Sequence, residues 1–221
     1  MREGGGVDDT EREKQAAAEA AAALVEDGMV VGLGTGTTVA FLLPALGKRR
    51  LDISCVATSP ATESLARAEG LRVGSFESIE RLDLAIDGAD QVDPGGWLIK
   101  GGGGAHTREK IVAAAADRFI VIVSSNKLVS RLVPPVPLEL MAFGLGSVLR
   151  SLADVAVRQA PRSPDGGVLA DYHGPLDDPV QSAERFGATP GVVAHGLFPP
   201  SMVSLVLIGR GEQVDSFAPA V

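Results

Sequence analysis

Short apolar runs alternate with longer mixed segments along the first 130 positions. Several mixed segments end at a glycine, such as Gly28 or Gly70, which is typical of helix ends. The pattern predicts strands over residues 29–33, 52–57, 72–76, 82–86, 97–100 and 119–124. It predicts helices over residues 10–27, 39–46, 60–69 and 107–118, with Pro44 expected to kink or shorten the second. Strands alternating with helices of this length predict an α/β fold, a Rossmann-like, mostly parallel sheet flanked by helices.

The pattern changes near residue 131. Residues 133–140, VPPVPLEL, are interpreted as a proline-rich connection. Beyond it the sequence predicts helices over 141–152 and 178–186 and strands over 155–159, 168–172 and 192–196, a smaller α+β (ferredoxin-like) domain. The apolar residues 202–208 then form a strand that could return to the first sheet. We therefore expect one domain from residues 1–132 and 200–221, with residues 1–8 flexible, and a small domain from residues 133–199.

Charge and composition narrow the function. The 221 residues have a net charge of −8 and only 4% aromatic residues, which argues against a nucleic-acid partner and against stacking of single-stranded bases. No apolar run reaches the roughly 18 residues of a membrane span, so no membrane partner is expected. An anionic ligand would need a local cluster of lysines and backbone amides.

Cys55 is the only cysteine. One chain can therefore form neither a disulfide nor a cysteine-based metal site, which fits a reducing cytoplasm. We expect Cys55 to be a small buried apolar side chain rather than a nucleophile.

The first motif, VGLGTGTT, joins a strand to a helix start. Backbone N–H groups at such a turn, together with the helix dipole, favour a phosphate. The motif matches neither the dinucleotide-binding pattern nor the P-loop. A tight turn with capping threonines is the alternative. The candidate phosphate-binding residues are Gly34, Thr35, Gly36, Thr37 and Thr38.

The second motif, LDLAIDGAD, ends a strand with two aspartates around Gly88 and Ala89. In open α/β sheets ligands bind beyond the carboxyl ends of the strands, where Asp87 and Asp90 fall. Two carboxylates there could handle the hydroxyl protons of a polyol or hold a metal ion. A polar turn with local backbone bonds is the alternative.

The third motif is IKGGGGAHTREK, in which Lys100 precedes four glycines. We expect Thr107 to cap a helix and place Glu109 in its first turn, where the dipole favours an ionised carboxylate. Glu109 then either complements the dipole or acts as a general base. Lys100 could stabilise negative charge on an oxygen. His106 is predicted to be a solvated loop histidine. The glycines, which let the backbone approach a ligand closely, are Gly101, Gly102, Gly103 and Gly104.

Two more lysines occupy suggestive positions. Lys127 follows the apolar strand over 119–124, again at a carboxyl end, and Lys14 lies on the first predicted helix. For both, a solvated surface lysine is the simple alternative.

Taken in order, GTGTT, DGAD, IKGGGGAHTREK, SSNK, VPLEL, PGVVAHGLF and LVLIG give a specific set. The sequence resembles the A-type ribose-5-phosphate isomerase family over essentially the whole chain after its acidic N-terminus. The resemblance implies interconversion of D-ribose 5-phosphate and D-ribulose 5-phosphate through a cis-enediol, without a cofactor or metal. It also implies a homodimer or homotetramer whose partner is a small sugar phosphate.

The resemblance assigns a role to each candidate residue. Glu109 falls on the base that moves a proton between C2 and C1, and Lys100 on the lysine that stabilises charge at the carbonyl oxygen. Asp87 and Asp90 fall on carboxylates that bind the sugar hydroxyls. The turn over 34–38 matches the phosphate site, and Lys127 and Lys14 match substrate-binding lysines.

Three departures from the family pattern leave these groups in place. Gln91 stands where a glutamate is common, and Gly104 and His106 stand where an alanine and an apolar residue are usual. Before Lys127, Ser124, Ser125 and Asn126 replace an Asp-x-Ser pattern. We expect them to affect rate and pH optimum more than reaction type. The alternatives are a non-catalytic sugar-phosphate sensor, or a related sugar-phosphate deaminase or lactonase.

Overall fold

A computed structural model of the protein describes residues 6–220. Its helices are α1 (Gly6–Ala22), α2 (Thr37–Arg49), α3 (Pro60–Ala68), α4 (His106–Ala115), α5 (Leu145–Leu152) and α6 (Pro179–Ala188). Its strands are β1 (Val30–Leu33), β2 (Ser54–Ala57), β3 (Arg72–Val73), β4 (Leu82–Asp87), β5 (Gln91–Val92), β6 (Leu98–Ile99), β7 (Ala116–Ser124), β8 (Val136–Leu140), β9 (Val155–Val157), β10 (Val168–Tyr172), β11 (Val192–His195), β12 (Leu197–Phe198), β13 (Leu205–Arg210) and β14 (Gln213–Phe217). The flexible extension predicted over residues 1–8 lies for the most part outside the described residues.

The central sheet has seven strands in the order β14-β13-β7-β4-β1-β2-β3. All neighbours are parallel except the final hairpin of β13 and β14. The last six residues of β7 are buried, as expected for an inner strand covered on both faces. The predicted mostly parallel α/β fold is confirmed, and the strand predicted over 202–208 does return to this sheet beside β7.

The strand order reverses between β1 and β4. From β1 the chain proceeds outward through β2 and β3, whereas from β4 it proceeds the other way, towards β7. The connections that leave β1 and β4 therefore diverge, and they open a crevice at the carboxyl ends of these strands. The first two sequence motifs both lie at this crevice.

A second sheet has the order β11-β8-β10-β9 and is antiparallel throughout. With α5 and α6 its chain order is β-α-β-β-α-β, the ferredoxin-like arrangement. The interpretation of residues 133–140 as a connection was wrong for Val136–Leu140, an inner strand whose five residues are all buried. Pro137 removes one N–H donor from the ladder, but its carbonyl accepts a 2.7 Å hydrogen bond from the N–H of Gly196. The prolines therefore concealed a core strand.

A small antiparallel sheet, β12-β6-β5, joins the two parts. Its strands have two residues each, which is too short for any period to show in the sequence. The N–H of Lys100, just after β6, donates a 2.9 Å hydrogen bond to the carbonyl of Gly196, just before β12. This sheet thus fixes the backbone on which Lys100 stands.

Several predicted helix boundaries were wrong. Helix α2 continues through Pro44 to Arg49 rather than ending at 46. Helix α1 ends at Ala22, where the hydrogen bonds tighten to an i to i+3 pattern, and α5 begins only at Leu145. Helix α4 ends at Ala115, so that residues 116–118 extend β7.

Two strand predictions overlapped a 3₁₀ turn, and four strands, counting β8, were missed. Strand β3 ends at Val73 and is followed by a 3₁₀ turn at Phe76–Ser78. Residues 200–202 form another such turn before β13 begins. Strands β5, β12 and β14 were not predicted either.

Among the described residues, no helix has both the length and the apolar character that crossing a bilayer requires.

Phe186 tests the core of the second sheet. Its side chain is fully buried and meets the ring of Tyr172 edge-on at a centroid distance of 4.9 Å. We expect Phe186→Ala to lower the free energy of unfolding by about 3–5 kcal/mol through the cavity it leaves. Denaturant unfolding followed by circular dichroism measures this loss. Val180→Ala, at a residue of the same helix that is 51% exposed, is the control and should change the free energy of unfolding by less than about 0.5 kcal/mol. Equal losses for the two variants would show that Phe186 is not a core residue.

Candidate active site

The turn after β1 packs directly on the end of β4. The N–H of Gly34 donates to the carbonyl of Ile86 at 2.9 Å. A Cβ atom at Gly34 would lie 1.9 Å from Cγ of Asp87. Only glycine fits there, because the Asp87 carboxyl occupies the space of a side chain.

Helix α2 begins at this turn without a side-chain cap. Gly36, with φ of 128°, is the N-cap residue, and no side chain bonds to the first free N–H groups. Thr35 Oγ1 instead lies 2.7 Å from Thr58 Oγ1, and Thr62 Oγ1 donates to the Gly34 carbonyl at 2.9 Å. The alternative of capping threonines is therefore wrong. The N–H groups in the first turn of this 13-residue helix have no side-chain acceptor, which is the arrangement that favours an anion.

Asp87 ties the two strand ends together. Its Oδ1 accepts hydrogen bonds from the N–H groups of Thr35, at 3.1 Å, and Gly88, at 2.7 Å. Its Oδ2 lies 2.8 Å from Nζ of Lys100. Asp87 thus makes the local backbone bonds of a polar turn and a buried ion pair as well.

Asp90 orders the glycine run from the other side. Its Oδ2 accepts a 2.8 Å hydrogen bond from the N–H of Gly102, and its own N–H donates to the carbonyl of Ile99. The second aspartate of the motif is partly exposed at the crevice, where it can still meet a ligand.

Lys100 lies at the centre of the site. Its Nζ is 2.8 Å from Asp87 Oδ2 and 3.1 Å from Glu109 Oε2, and it donates a 2.6 Å hydrogen bond to the carbonyl of Gly88. All three charged side chains are at most 4% exposed. One ammonium group therefore serves two carboxylates in a site nearly closed to water.

Glu109 lies in the first turn of α4, as predicted, but Thr107 does not cap this helix. The N-cap residue is Ala105, and the Thr107 hydroxyl instead donates to the buried carboxylate of Glu139 on β8. Glu109 Oε2 lies 3.1 Å from Lys100 Nζ, and no backbone N–H or hydroxyl group within residues 6–220 donates to it. Among the described residues, Lys100 is therefore the only polar group that holds this oxygen.

Burial changes the proton affinity of all three groups. Burial alone would lower the pKa of Lys100, but the carboxylates of Asp87 and Glu109 outweigh it and raise that pKa. Burial raises the pKa of Asp87, and Lys100 together with the N–H donors opposes the rise. Burial and then Asp87 raise the pKa of Glu109 to about 8. The expectation that the helix dipole keeps Glu109 ionised near neutrality is therefore wrong, since burial has the larger effect.

Arg158, just after β9, holds the glycine run in place. Its guanidinium group donates to the carbonyls of Gly101, at 2.9 Å, and Gly102, at 3.3 Å. It also forms a bidentate pair with Asp171, at 2.8 and 2.6 Å. Sequence reasoning missed this residue, because a lone arginine distant in sequence gives no signal of such a contact.

His106 is not a solvated loop residue. It is the first residue of α4 and is fully buried, and its ring lies where a Cβ of Gly101 would be, 2.7 Å from Nδ1. Neither ring nitrogen has a hydrogen-bond partner within the described chain. Burial, and then Lys110, lower the pKa of His106 to about 4, so the ring is neutral.

Most of the predicted residues come together around one cleft, whose volume is about 100 Å³. Three of the predicted residues are not part of its lining: Asp87 and Gly34, which pack together beneath it, and Lys14 on α1. The neighbouring Glu13 accepts a hydrogen bond from the N–H of Ser125, at the edge of the cleft. The lining consists of Thr35, Gly36, Thr37, Thr38, Gly88, Ala89, Asp90, Lys100, Gly101, Gly102, Gly103, Glu109 and Lys127.

The structure also bears on Cys55 and on the possibility of a metal site. Cys55 is buried, as expected, and burial raises the pKa of its thiol to about 11. Within residues 6–220 no cluster of three or more histidine, cysteine, aspartate or glutamate side chains is arranged to hold a metal ion.

Comparison with known proteins gives a consistent result. Residues 54–213 match the family described as Ribose 5-phosphate isomerase A (phosphoriboisomerase A), and residues 9–76 match the DeoR C terminal sensor domain. The ribose-5-phosphate isomerase A of Natronomonas pharaonis is 42% identical, covering 97% of this chain and 99% of its own. That of Methanosarcina acetivorans is 43% identical, covering 90% and 91%.

Solved structures agree. The ribose 5 phosphate isomerase A of Neisseria gonorrhoeae has a TM-score of 0.91 at 32% identity, covering 96% of this chain and 98% of its own. A D-ribose-5-phosphate isomerase in complex with phospho-erythronic acid has a TM-score of 0.89 at 33% identity, covering 95% and 99%.

Gly34 tests the contact between the turn and Asp87. We expect Gly34→Ala to displace the Asp87 carboxyl, since a Cβ atom would overlap it, and to lower activity at least about tenfold. Steady-state kinetics on the purified variant measures this. Gly74→Ala is the control, because a Cβ atom at Gly74 meets no atom within 4 Å. Equal activity of the two variants would contradict the close approach.

Proposed function

The chain belongs to the ribose 5-phosphate isomerase A family, and on that premise we propose that its crevice at β1 and β4 is the active site. The protein is an aldose–ketose isomerase that interconverts D-ribose 5-phosphate and D-ribulose 5-phosphate. The observation that supports the assignment of the site is the buried Lys100 ammonium between Asp87 and Glu109. A base and a cation in contact are what an enediol route requires.

Glu109 is the base in this proposal. Its Oε2, which is held only by Lys100, accepts the proton from C2 of the open-chain aldose, while the carbon–oxygen π electrons at C1 move to O1. A carbon–carbon double bond forms between C1 and C2. The proton on Glu109 then returns to C1. The proton of the C2 hydroxyl passes to O1 as the ketone forms at C2, so one hydrogen has moved from C2 to C1 and one from O2 to O1. No redox cofactor takes part in the balance.

Lys100 and the two aspartates control charge and position. The Lys100 ammonium can neutralise the charge that develops on O1, and in a buried site this interaction is stronger than in water. Asp90 accepts hydrogen bonds from sugar hydroxyls at the rim, and Asp87 holds Lys100 and the turn over 34–38. Positioning of this kind lowers the barrier because the reacting groups are already aligned.

The phosphate is bound by the turn over 34–38 and by Lys127. The uncapped N-terminus of α2 offers N–H groups and the positive end of the helix dipole. Phospho-erythronic acid, the ligand of the related structure, has a phosphate at one end and a carboxylate at the other. An anion site at the turn and an ammonium at Lys100 suit such a ligand. Lys14 remains a further predicted phosphate ligand.

The sensor alternative is not favoured. The match to a sensor domain spans residues 9–76 and includes the turn, but it ends before Asp87, Lys100 and Glu109. A protein that only bound the sugar phosphate would not need a buried carboxylate beside a lysine. The deaminase and lactonase alternatives have no dedicated residues in the cleft.

Location and assembly complete the proposal. The single buried thiol of Cys55 suits a reducing compartment, and we place the protein in the cytoplasm. We also propose a homodimer or homotetramer, supported by exposed apolar side chains such as Phe143, at 90%, and Met141, at 52%.

Glu109→Gln tests the base. The amide keeps the size of the side chain but cannot accept the C2 proton, so we expect turnover to fall at least about a hundredfold while ribose 5-phosphate still binds. A coupled assay for ribulose 5-phosphate and a calorimetric titration measure the two effects. Glu63→Gln, on the exposed surface of α3, is the matched control. Near-normal turnover in Glu109→Gln would refute the assignment.

The pKa of Glu109 predicts a pH profile. Below a pKa of about 8 the carboxyl is increasingly protonated and cannot act as the base, so kcat/KM should rise with pH and level off above about 8. The second ionisation of a phosphate near pH 6 lies well below this limb. A profile of kcat/KM between pH 5 and 10 checks it, and a limb at the ordinary carboxyl value would show that burial does not control Glu109.

A further inference from the structure

Lys110 is a half-buried lysine with no carboxylate partner in the described chain. It lies next to Glu109 on α4, but it points to the segment between β11 and β12. Its Nζ donates to the carbonyls of His195, at 2.6 Å, and Leu197, at 2.9 Å, and lies 3.3 Å from Nδ1 of His195. Because burying an unpaired lysine is costly, these hydrogen bonds hold helix α4 against residues 195–197.

The segment that Lys110 holds also supports Lys100. The carbonyl of Gly196, between the two carbonyls bound by Lys110, accepts the N–H of Lys100 at 2.9 Å. The next two residues pair with β6, with Leu197 opposite Ile99. A short chain of contacts therefore links α4, which bears Glu109, to strand β6, which ends just before Lys100.

Phe198 adds a second link between the lysines. Its ring is fully buried, and its centroid lies 4.8 Å from Lys110 Nζ and 5.4 Å from Lys100 Nζ. The Nζ atoms of both lysines therefore lie against the face of the same ring, at distances typical of a cation–π contact. Movement of Lys110 would therefore also disturb the surface against which Lys100 rests.

We propose that Lys110 is a positioning residue that sets the separation between Glu109 Oε2 and Lys100 Nζ by bracing α4 against residues 195–198. The inference rests on the proposed function of the Glu109–Lys100 pair. It adds a residue that touches neither that pair nor the cleft.

The charges around Lys110 fit a role as a donor. Burial lowers the pKa of Lys110 to about 7. His106 and His195 face it from α4 and β11, and burial and then Lys110 lower their pKa values to about 4 and about 3, so both rings are neutral. A neutral amine still has two N–H donors for the two carbonyls. The brace therefore depends on the length and the donors of the side chain.

Lys110→Met tests the proposal by keeping the apolar stem and removing the donors. We expect kcat to fall about 10–100-fold, because a small misplacement of reacting groups costs this much, while KM stays within about threefold. The groups facing Glu109 are Lys100, Asp87 and Asp90. Since Lys100 lowers the pKa of Glu109, a wider separation should also move the acid limb of the kcat profile to higher pH.

Two further variants separate positioning from folding. Lys48→Met makes the same change at an exposed lysine of α2 and should leave kcat, KM and the limb unchanged. Lys110→Cys, alkylated with 2-bromoethylamine while unfolded and then refolded, regains a side chain of lysine length and should recover most of kcat. Wild type treated in the same way controls for modification of Cys55.

If Lys110→Met does not fold, Lys110→Gln, which keeps an amide donor, takes its place.

The outcomes are distinct. A fall in kcat with an unmoved pH limb, matched by the loss of folded protein in thermal unfolding, would overturn the proposal in favour of a purely structural lysine. A rise in KM at constant kcat would overturn it as well. If wild type itself fails to interconvert the two pentose phosphates in the same assay, the proposed function fails, whatever Lys110 does.

Discussion

The buried ammonium of Lys100 is the constraint on which the rest of the site depends. The side chains of two carboxylates and one lysine are at most 4% exposed. Burying them costs free energy, because each charged group loses its hydration. Removing one partner of such a buried pair typically destabilises a protein by about 3–5 kcal/mol. Replacing the whole cluster with apolar residues would often be neutral or better. Its presence is therefore explained by chemistry rather than by stability.

That cluster needs three separate segments to meet, and most of the scaffold serves this. Asp87 comes from the end of β4, Glu109 from the first turn of α4, and Lys100 from the end of β6. The central sheet supplies the crevice, while the ferredoxin-like part secures the loop through Arg158 and the helix through Glu139 and Thr107. The second sheet thus contributes to the site although none of its strands lines the cleft.

Sequence predicted the parts that repeat a local pattern. The parallel sheet followed from apolar runs at regular spacing, and the crevice residues followed from their positions after β1 and β4. Contacts between distant residues had no such signal: Arg158 on Gly101, or Thr107 on Glu139, depends on the packing of the two parts. Strand β8 was missed because its prolines suggested a loop, and His106 was misjudged because burial cannot be inferred from one polar residue beside glycines. The ionisation of Glu109 was misjudged for the same reason, since the dipole is local and burial is a property of the fold.

The burial of Glu109 has a consequence for hydrogen exchange between the substrate and the solvent. The side chain of Glu109 is only 4% exposed, so little water can reach a proton that it holds. In the proposed mechanism, a hydrogen taken from C2 would then reach C1 before water replaces it. A substrate labelled with deuterium at C2 would then retain part of the deuterium at C1 of the product. The burial of Glu109 would determine how much of it is retained rather than exchanged with water.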